Sequence, residues 1–224
     1  MKILFTGGGS GGHFYPIIAI AQEIRRLASE EKLVQPDLYF MSTEPYNERI
    51  LFETGIKFIP VSAGKLRRDS NPISLLKNFL GLFSTAWGVI TAIVKVFSLY
   101  PDVIMSKGAY ASFPALVAGR LFRIPIIIHE SDSHPGRVNL WSGKFAKRIA
   151  LSYPEATKYF PQDKTAVTGN PLRQDILIPT SSGAYEYLRL DKELPIIFVI
   201  GGSQGAKHIN DIVVDLLPEL LPKY

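Results

Sequence analysis

"FTGGGSGGHFYP", residues 5–16, decides how the N-terminal half is read. Gly7, Gly9 and Gly12 satisfy G-x-G-x-x-G, behind the apolar run Ile3, Leu4, Phe5 and ahead of a segment with helical apolar spacing. Strand, glycine turn and helix in that order make an anion site. The glycines let an anion approach bare N–H groups, and the helix N-terminus adds partial positive charge. A nicotinamide or flavin role fits less well. The second strand, residues 37–41, is followed by Ser42 and Thr43, and Glu44 comes late, so the ribose carboxylate of a dinucleotide site is missing. His13 is also foreign to that fingerprint. In the first helical turn an imidazole can take a proton from a hydroxyl or donate to a phosphate, and the helix dipole favours its neutral form. The plainer reading is a histidine that only bonds the loop.

Working outward, strands are predicted at 2–6, 37–41, 57–61, 102–105, 126–129, 148–151 and 165–167. Helices are predicted at 16–30, 46–53, 72–99, 111–122 and 136–144, with Pro16 in the first turn of the first one. Strands alternating with helices, and apolar runs without clean alternation, indicate a doubly wound parallel α/β sheet. Residues 169–183, with Pro171, Pro179, Ser181 and Ser182, read as a linker. Residues 195–200 then read as a strand, followed by "GGSQGA" and a helix over 207–217, which repeats the opening design. The division is therefore 1–168 for a first Rossmann-like domain and 169–224 for a linker and the first βα unit of a second. One βα unit cannot bury its own apolar face, so this chain is expected to be a fragment or to need a partner, and to be inactive alone.

The 224 residues contain no cysteine, which excludes disulfides, cysteine-bound zinc and thiol nucleophiles. The first residues run directly into a strand, so a secretory leader is not expected. A net charge of +5 suits an anionic partner, although solubility explains it equally well.

Three further loops carry chemistry. Residues 106–114 bring Tyr110 and Ser112 to the carboxyl edge of the sheet, and residues 129–134 bring Glu130 and Asp132 to the same edge. The two histidines and two carboxylates of the latter loop lack helical metal-ligand spacing, so a polar substrate loop is the stronger reading. Arg173 near the junction, with Ser203, Gln204 and Gly205, suits a diphosphate. Residues 78–94 carry no charged side chain. They read equally as a core helix or as an interfacial patch. In the second reading Leu75, Leu76, Phe79, Leu82, Phe83 and Trp87, with Lys65, Arg67 and Arg68, dock on anionic lipid. Gly81, Ser84, Thr85 and Gly88 dilute the run, so a spanning helix is less favoured.

"TGGGSGGHFYP", "GKLRR", "KGAYASFP", "HESDS", "VTGNPLR" and "GGSQGA", in this order, resemble the MurG-type N-acetylglucosaminyltransferases of bacterial peptidoglycan synthesis over essentially the whole chain. The resemblance implies a GT-B fold of two facing Rossmann-like domains. It implies inverting transfer of GlcNAc from UDP-GlcNAc to the C4 hydroxyl of the MurNAc unit of lipid I, giving lipid II. It places the acceptor diphosphate on Gly9, Ser10, Gly11 and Gly12, the base at His13, and the acceptor side at Tyr110, Ser112 and Glu130. Asp132, Arg173, Ser203, Gln204 and Gly205 fall on the donor side. It implies peripheral attachment to the cytoplasmic membrane surface, no cofactor or metal, and no nucleic-acid partner. Three departures stand out. Asp132 replaces the usual Asn, Ala109 a usual glycine, and Phe113 a small residue. The family's uridine contacts lie beyond this sequence. Another lipid or glycan acceptor, or a non-catalytic membrane-docking half that recruits a separate donor domain, remain alternatives.

Overall fold

The structure, a computed structural model, describes residues 1–65, 71–178, 182–202 and 205–222. Seven parallel strands form one sheet: β1 (Lys2–Thr6), β2 (Asp37–Ser42), β3 (Ile56–Pro60), β4 (Val103–Ser106), β5 (Ile126–Glu130), β6 (Arg148–Leu151) and β7 (Thr165–Val167), in the order β3-β2-β1-β4-β5-β6-β7. Helices α1 (Gly11–Glu30), α2 (Glu48–Glu53), α3 (Pro72–Leu99), α4 (Phe113–Leu121) and α5 (Arg137–Gly143) connect them. Thr6 pairs with Met41 on one side and with Ser106 on the other, so β1, β2 and β4 end level.

The sheet is buried on both faces, which is why its strands are continuously apolar. One face packs Phe5, Phe40 and Leu38 against Phe14, Ile17 and Ile18 of α1. The other packs Leu4, Ile104, Ile126 and Ile128 against Ala92 and Val96 of α3 and Leu116 of α4.

The helix predicted from Pro16 begins earlier, at Gly11, with Ser10 as an extended N-cap and Pro16 inside. The glycines enter the helical conformation despite their poor propensity because the apolar face from Phe14 onward fixes the turn before it. α2 starts at Glu48 rather than residue 46, because the Asn47 side chain caps it by accepting from Ile50 N–H at 3.1 Å. α3 is capped in the same way by Asn71, which accepts from Ser74 N–H at 2.7 Å, and Pro72 opens it.

Residues 1–174 form one compact unit and residues 175–224 a second. In the second, α7 (Ala184–Leu188) and α8 (Lys207–Leu220) form, after the short α6 (Gln174–Leu177) at the boundary. The strand predicted at 195–200 does not form, and its side chains from Ile196 to Ile200 are exposed, Phe198 by 80%. A strand needs a neighbour to take its N–H and C=O groups, and none of the described residues supplies one.

Candidate functional site

The chain reverses direction across the sheet between β1 and β4, and the crevice at such a switch point is where ligands bind open α/β sheets. The loops after β1, β2, β4 and β5 meet at this edge.

The first loop ends at the N-terminus of the 20-residue α1. Ser10 makes no side-chain cap, and the Gly11 and Gly12 N–H groups lie in the first turn, where no intrahelical carbonyl reaches them. Gly9 has φ 84°, and a Cβ there would stand 3.2 Å from the Tyr110 ring. Glycine therefore serves both the turn and the approach of Tyr110. The Tyr46 hydroxyl borders Gly11, and the Arg173 guanidinium lies 4.7 Å above the Tyr15 ring. Donors and aromatic rings thus surround the helix N-terminus. Where a dinucleotide site needs a carboxylate, β2 ends in Ser42, fully buried.

His13 Nδ1 is 3.0 Å from the Lys107 carbonyl oxygen. A carbonyl only accepts, so Nδ1 carries the proton and Nε2 presents its lone pair. Nε2 makes no hydrogen bond among the described residues. Burial lowers the His13 pKa, and the Lys107 charge adds to this against the opposing Lys107 carbonyl, Glu130 and Asp132. The neutral form can accept a hydroxyl proton.

Lys107 is fully buried at the end of β4. Its ammonium donates to His129 Nδ1 at 2.6 Å and to Ser131 Oγ. Burial lowers its pKa to about 8, while Glu130 and Asp132 oppose the shift. His129 Nε2 is 3.0 Å from the Gly169 carbonyl, which sets its tautomer as Nε2–H. Burial, then the Lys107 charge, lower the His129 pKa to about 4, so it is neutral near pH 7.

Glu130 and Ser112 sit behind the loops rather than on them. Glu130 is 4% exposed, and its oxygens accept at 3.0 Å from Asp132 N–H, Gly136 N–H and Asn139 Nδ2. The Ser112 hydroxyl donates to the Ala109 carbonyl at 2.8 Å. These two shape the loops after β4 and β5. Asp132 is exposed and Tyr110 half-buried at the rim. Ala109 holds φ 65°, ψ 169°, a conformation otherwise nearly confined to glycine. Gly205 has φ 99° ahead of α8, whereas Ser203 and Gln204 lie outside the described residues. Among the described residues no three His, Asp or Glu side chains converge as metal ligands.

On α3, Leu75, Leu76, Phe79, Leu82, Phe83 and Trp87 are all exposed, by 58–64%. The core reading therefore fails for these six side chains. The buried face is narrow, formed by Ser74, Gly88, Ala92 and Val96. Gly88 lies so close to Ser62 that a Cβ would collide with its carbonyl oxygen, and Gly64 N–H donates to Thr85 Oγ1 at 2.9 Å. The small residues that dilute the apolar run thus seat residues 62–64, and Lys65 follows at the exposed side. Arg67 and Arg68 lie outside the described residues. By length and composition α3 could cross a membrane, but its buried face packs on the sheet and α4.

Lys107, Tyr46 and Asn139 are the residues that sequence reasoning did not single out. The signal for Lys107 was its place directly after an apolar strand; its partners on β5 and at Gly169 are distant in sequence.

A parallel sheet with a glycine loop and polar groups at its switch point is a Rossmann-like domain, and solved glycosyltransferase structures agree in fold. MurG of Acinetobacter baumannii matches 80% of this chain and 47% of its own, with a TM-score of 0.56 and 23% identity. Anabaena HepE, solved with UDP and glucose, matches 84% of this chain and 49% of its own, with a TM-score of 0.54 and 17% identity. The fold is thus that of a GT-B Rossmann-like domain. Residues 3–151 match the glycosyltransferase family 28 N-terminal domain, and the chain belongs to that family. A curated Bacillus cereus relative is 38% identical over the full chain; it is named UDP-N-acetylglucosamine–N-acetylmuramyl-(pentapeptide) pyrophosphoryl-undecaprenol N-acetylglucosamine transferase 2. The chain spans 60% of that relative's length.

Proposed function

We propose that residues 1–174 form the acceptor half of an inverting glycosyltransferase that moves GlcNAc from UDP-GlcNAc to the MurNAc C4 hydroxyl of lipid I. The observation that carries this reading is the neutral His13, whose Nε2 makes no hydrogen bond among the described residues, in the first turn of a helix whose first N–H groups have no intrahelical acceptor. The acceptor diphosphate lies against Gly9, Ser10, Gly11 and Gly12, met by backbone donors and the helix dipole. Its MurNAc C4 hydroxyl then gives its proton to His13 Nε2. The O4 electron pair forms the new bond to the anomeric carbon while the bond to UDP breaks, and UDP leaves with that pair. One displacement inverts the centre. Asp132 and Arg173 of this half serve the donor side; Ser203, Gln204 and Gly205 do so from the second Rossmann-like domain that begins within residues 169–224. The step as written uses no metal or cofactor.

The exposed α3 side chains, with Lys65, Arg67 and Arg68, hold the protein on the cytoplasmic membrane surface, where the lipid chain of the acceptor stays in the bilayer. The test is transfer of labelled GlcNAc to a lipid I analogue. The enzyme is a chimera in which the donor portion of the Bacillus cereus relative follows residue 224. Labelled lipid II supports the reading; a chimera that binds both substrates and transfers nothing refutes it.

A further inference from the structure

Lys107 is a buried cation that the proposed step does not use. Among the described residues no carboxylate lies within ion-pair distance of it, yet it makes three connections between separate loops. Its carbonyl accepts from His13 Nδ1–H at 3.0 Å. Its ammonium donates to His129 Nδ1 at 2.6 Å and to Ser131 Oγ. His129 passes the connection on, donating Nε2–H to the Gly169 carbonyl at 3.0 Å. Gly169 opens the segment that ends in Arg173, whose guanidinium returns to α1 over Tyr15. The path therefore starts in the first turn of α1, crosses β4 and β5, and comes back to α1 through the segment after β7.

A buried lysine costs desolvation energy, and a leucine or methionine of similar volume would fill the space without that cost. The ammonium has a use that an apolar side chain lacks: it fixes both nitrogens of His129. With Nδ1 taken by a donor, only the Nε2–H tautomer fits, and that tautomer alone can hold the Gly169 carbonyl.

We propose that Lys107 is a positioning residue of the reaction, joining the His13 base to the 169–173 segment by orienting His13 through its carbonyl and anchoring Gly169 through His129. The role in catalysis rests on the proposed acceptor function; the hydrogen-bonded path does not. The titratable groups that face Lys107 are His13 from α1 and His129, Glu130 and Asp132 from β5 and its loop. Glu130 and Asp132 favour its charge, and burial opposes it.

Nitrogen-15 NMR of the imidazoles in the 224-residue protein tests the path without substrate. In wild type, His129 is expected as the Nε2–H tautomer down to about pH 4, and its shifts should move again near pH 8 as Lys107 loses its proton. Lys107→Met should mix the His129 tautomers, raise the pKa of His129 and of His13, and move the Gly169 amide resonance. Unchanged histidine shifts in folded Lys107→Met overturn the proposal. If that variant does not fold, the wild-type titration decides: a His129 that titrates near its ordinary value, with no second inflection near pH 8, overturns it. A second arm uses a short-chain polyprenyl diphosphate. Lys107→Met should weaken its binding on the order of 10-fold, through loss of the His129 anchor on Gly169 and displacement of the segment that ends in Arg173. Equal binding by the two folded proteins overturns the catalytic role and leaves the path. Failure of wild type to bind any diphosphate instead refutes the acceptor reading.

Discussion

His13 Nδ1 lies 3.0 Å from the Lys107 carbonyl, which fixes the imidazole proton on the side away from the free nitrogen. A residue of the loop after β4 thus orients an imidazole in the first turn of α1, where the proposed reaction needs a base. In the chimera, His13→Ala is expected to lower kcat by two or more orders of magnitude, the range of a general base, with little change in acceptor KM. Turnover near wild type would leave His13 a structural histidine.

The same pair sets a pH dependence. Burial and the Lys107 charge hold the His13 pKa below its ordinary 6.5, so its base form persists into mildly acidic solution. The acid limb of kcat/KM should therefore fall below pH 6.5, and Lys107→Met should move it upward. A limb at or above 6.5 in wild type would contradict the assignment.

His129 links stability to pH. Its folded pKa of about 4 lies below the ordinary value of about 6.5, so between these values the unfolded chain binds more protons. Stability is fully present above about pH 6.5 and is lost as pH falls toward 4, by up to about 3 kcal/mol from this one group. Urea unfolding at pH 7 and pH 4.5 measures it, and His129→Gln should flatten the difference.

Ala109 is the clearest place where the chain holds strain. Its φ 65°, ψ 169° conformation costs an alanine about 1–3 kcal/mol, and glycine adopts it freely. Ala109→Gly gains unfolded-state entropy worth about 0.5–1 kcal/mol, which offsets part of the relief. The net expectation is a gain of about 1 kcal/mol and a melting temperature about 2–4 °C higher. A lower melting temperature would show that the strain is not present.

The exposed face of α3 should govern attachment to lipid. Phe79→Ser with Trp87→Ser should reduce sedimentation with anionic vesicles by 10-fold or more, and added salt should weaken wild-type binding by screening the basic residues. Binding that ignores both changes would remove the docking reading.

The first βα unit was legible because everything that makes it is local: an apolar run, glycines at the turn, then helical spacing. The face of α3 was legible only as one of two equal readings. An uncharged run says that a helix is apolar, and only the packing of Gly88, Ala92 and Val96 says which narrow side is buried. Residues 195–200 were misread for a related reason, since an apolar run becomes a strand only when another strand pairs with it. At the site, His13 and the glycine loop stood out by type and position. Lys107 did not, because His129 and Gly169, which give it a role, come from β5 and the segment after β7.

Acceptor binding by the 224-residue protein tests the central claim most directly. Calorimetric titration with a short-chain lipid I analogue should give binding for wild type and at least 10-fold weaker binding for Ser10→Glu, which sets a negative charge at the helix N-terminus proposed to hold the diphosphate. Equal binding by both folded proteins, or none by wild type, would contradict the account.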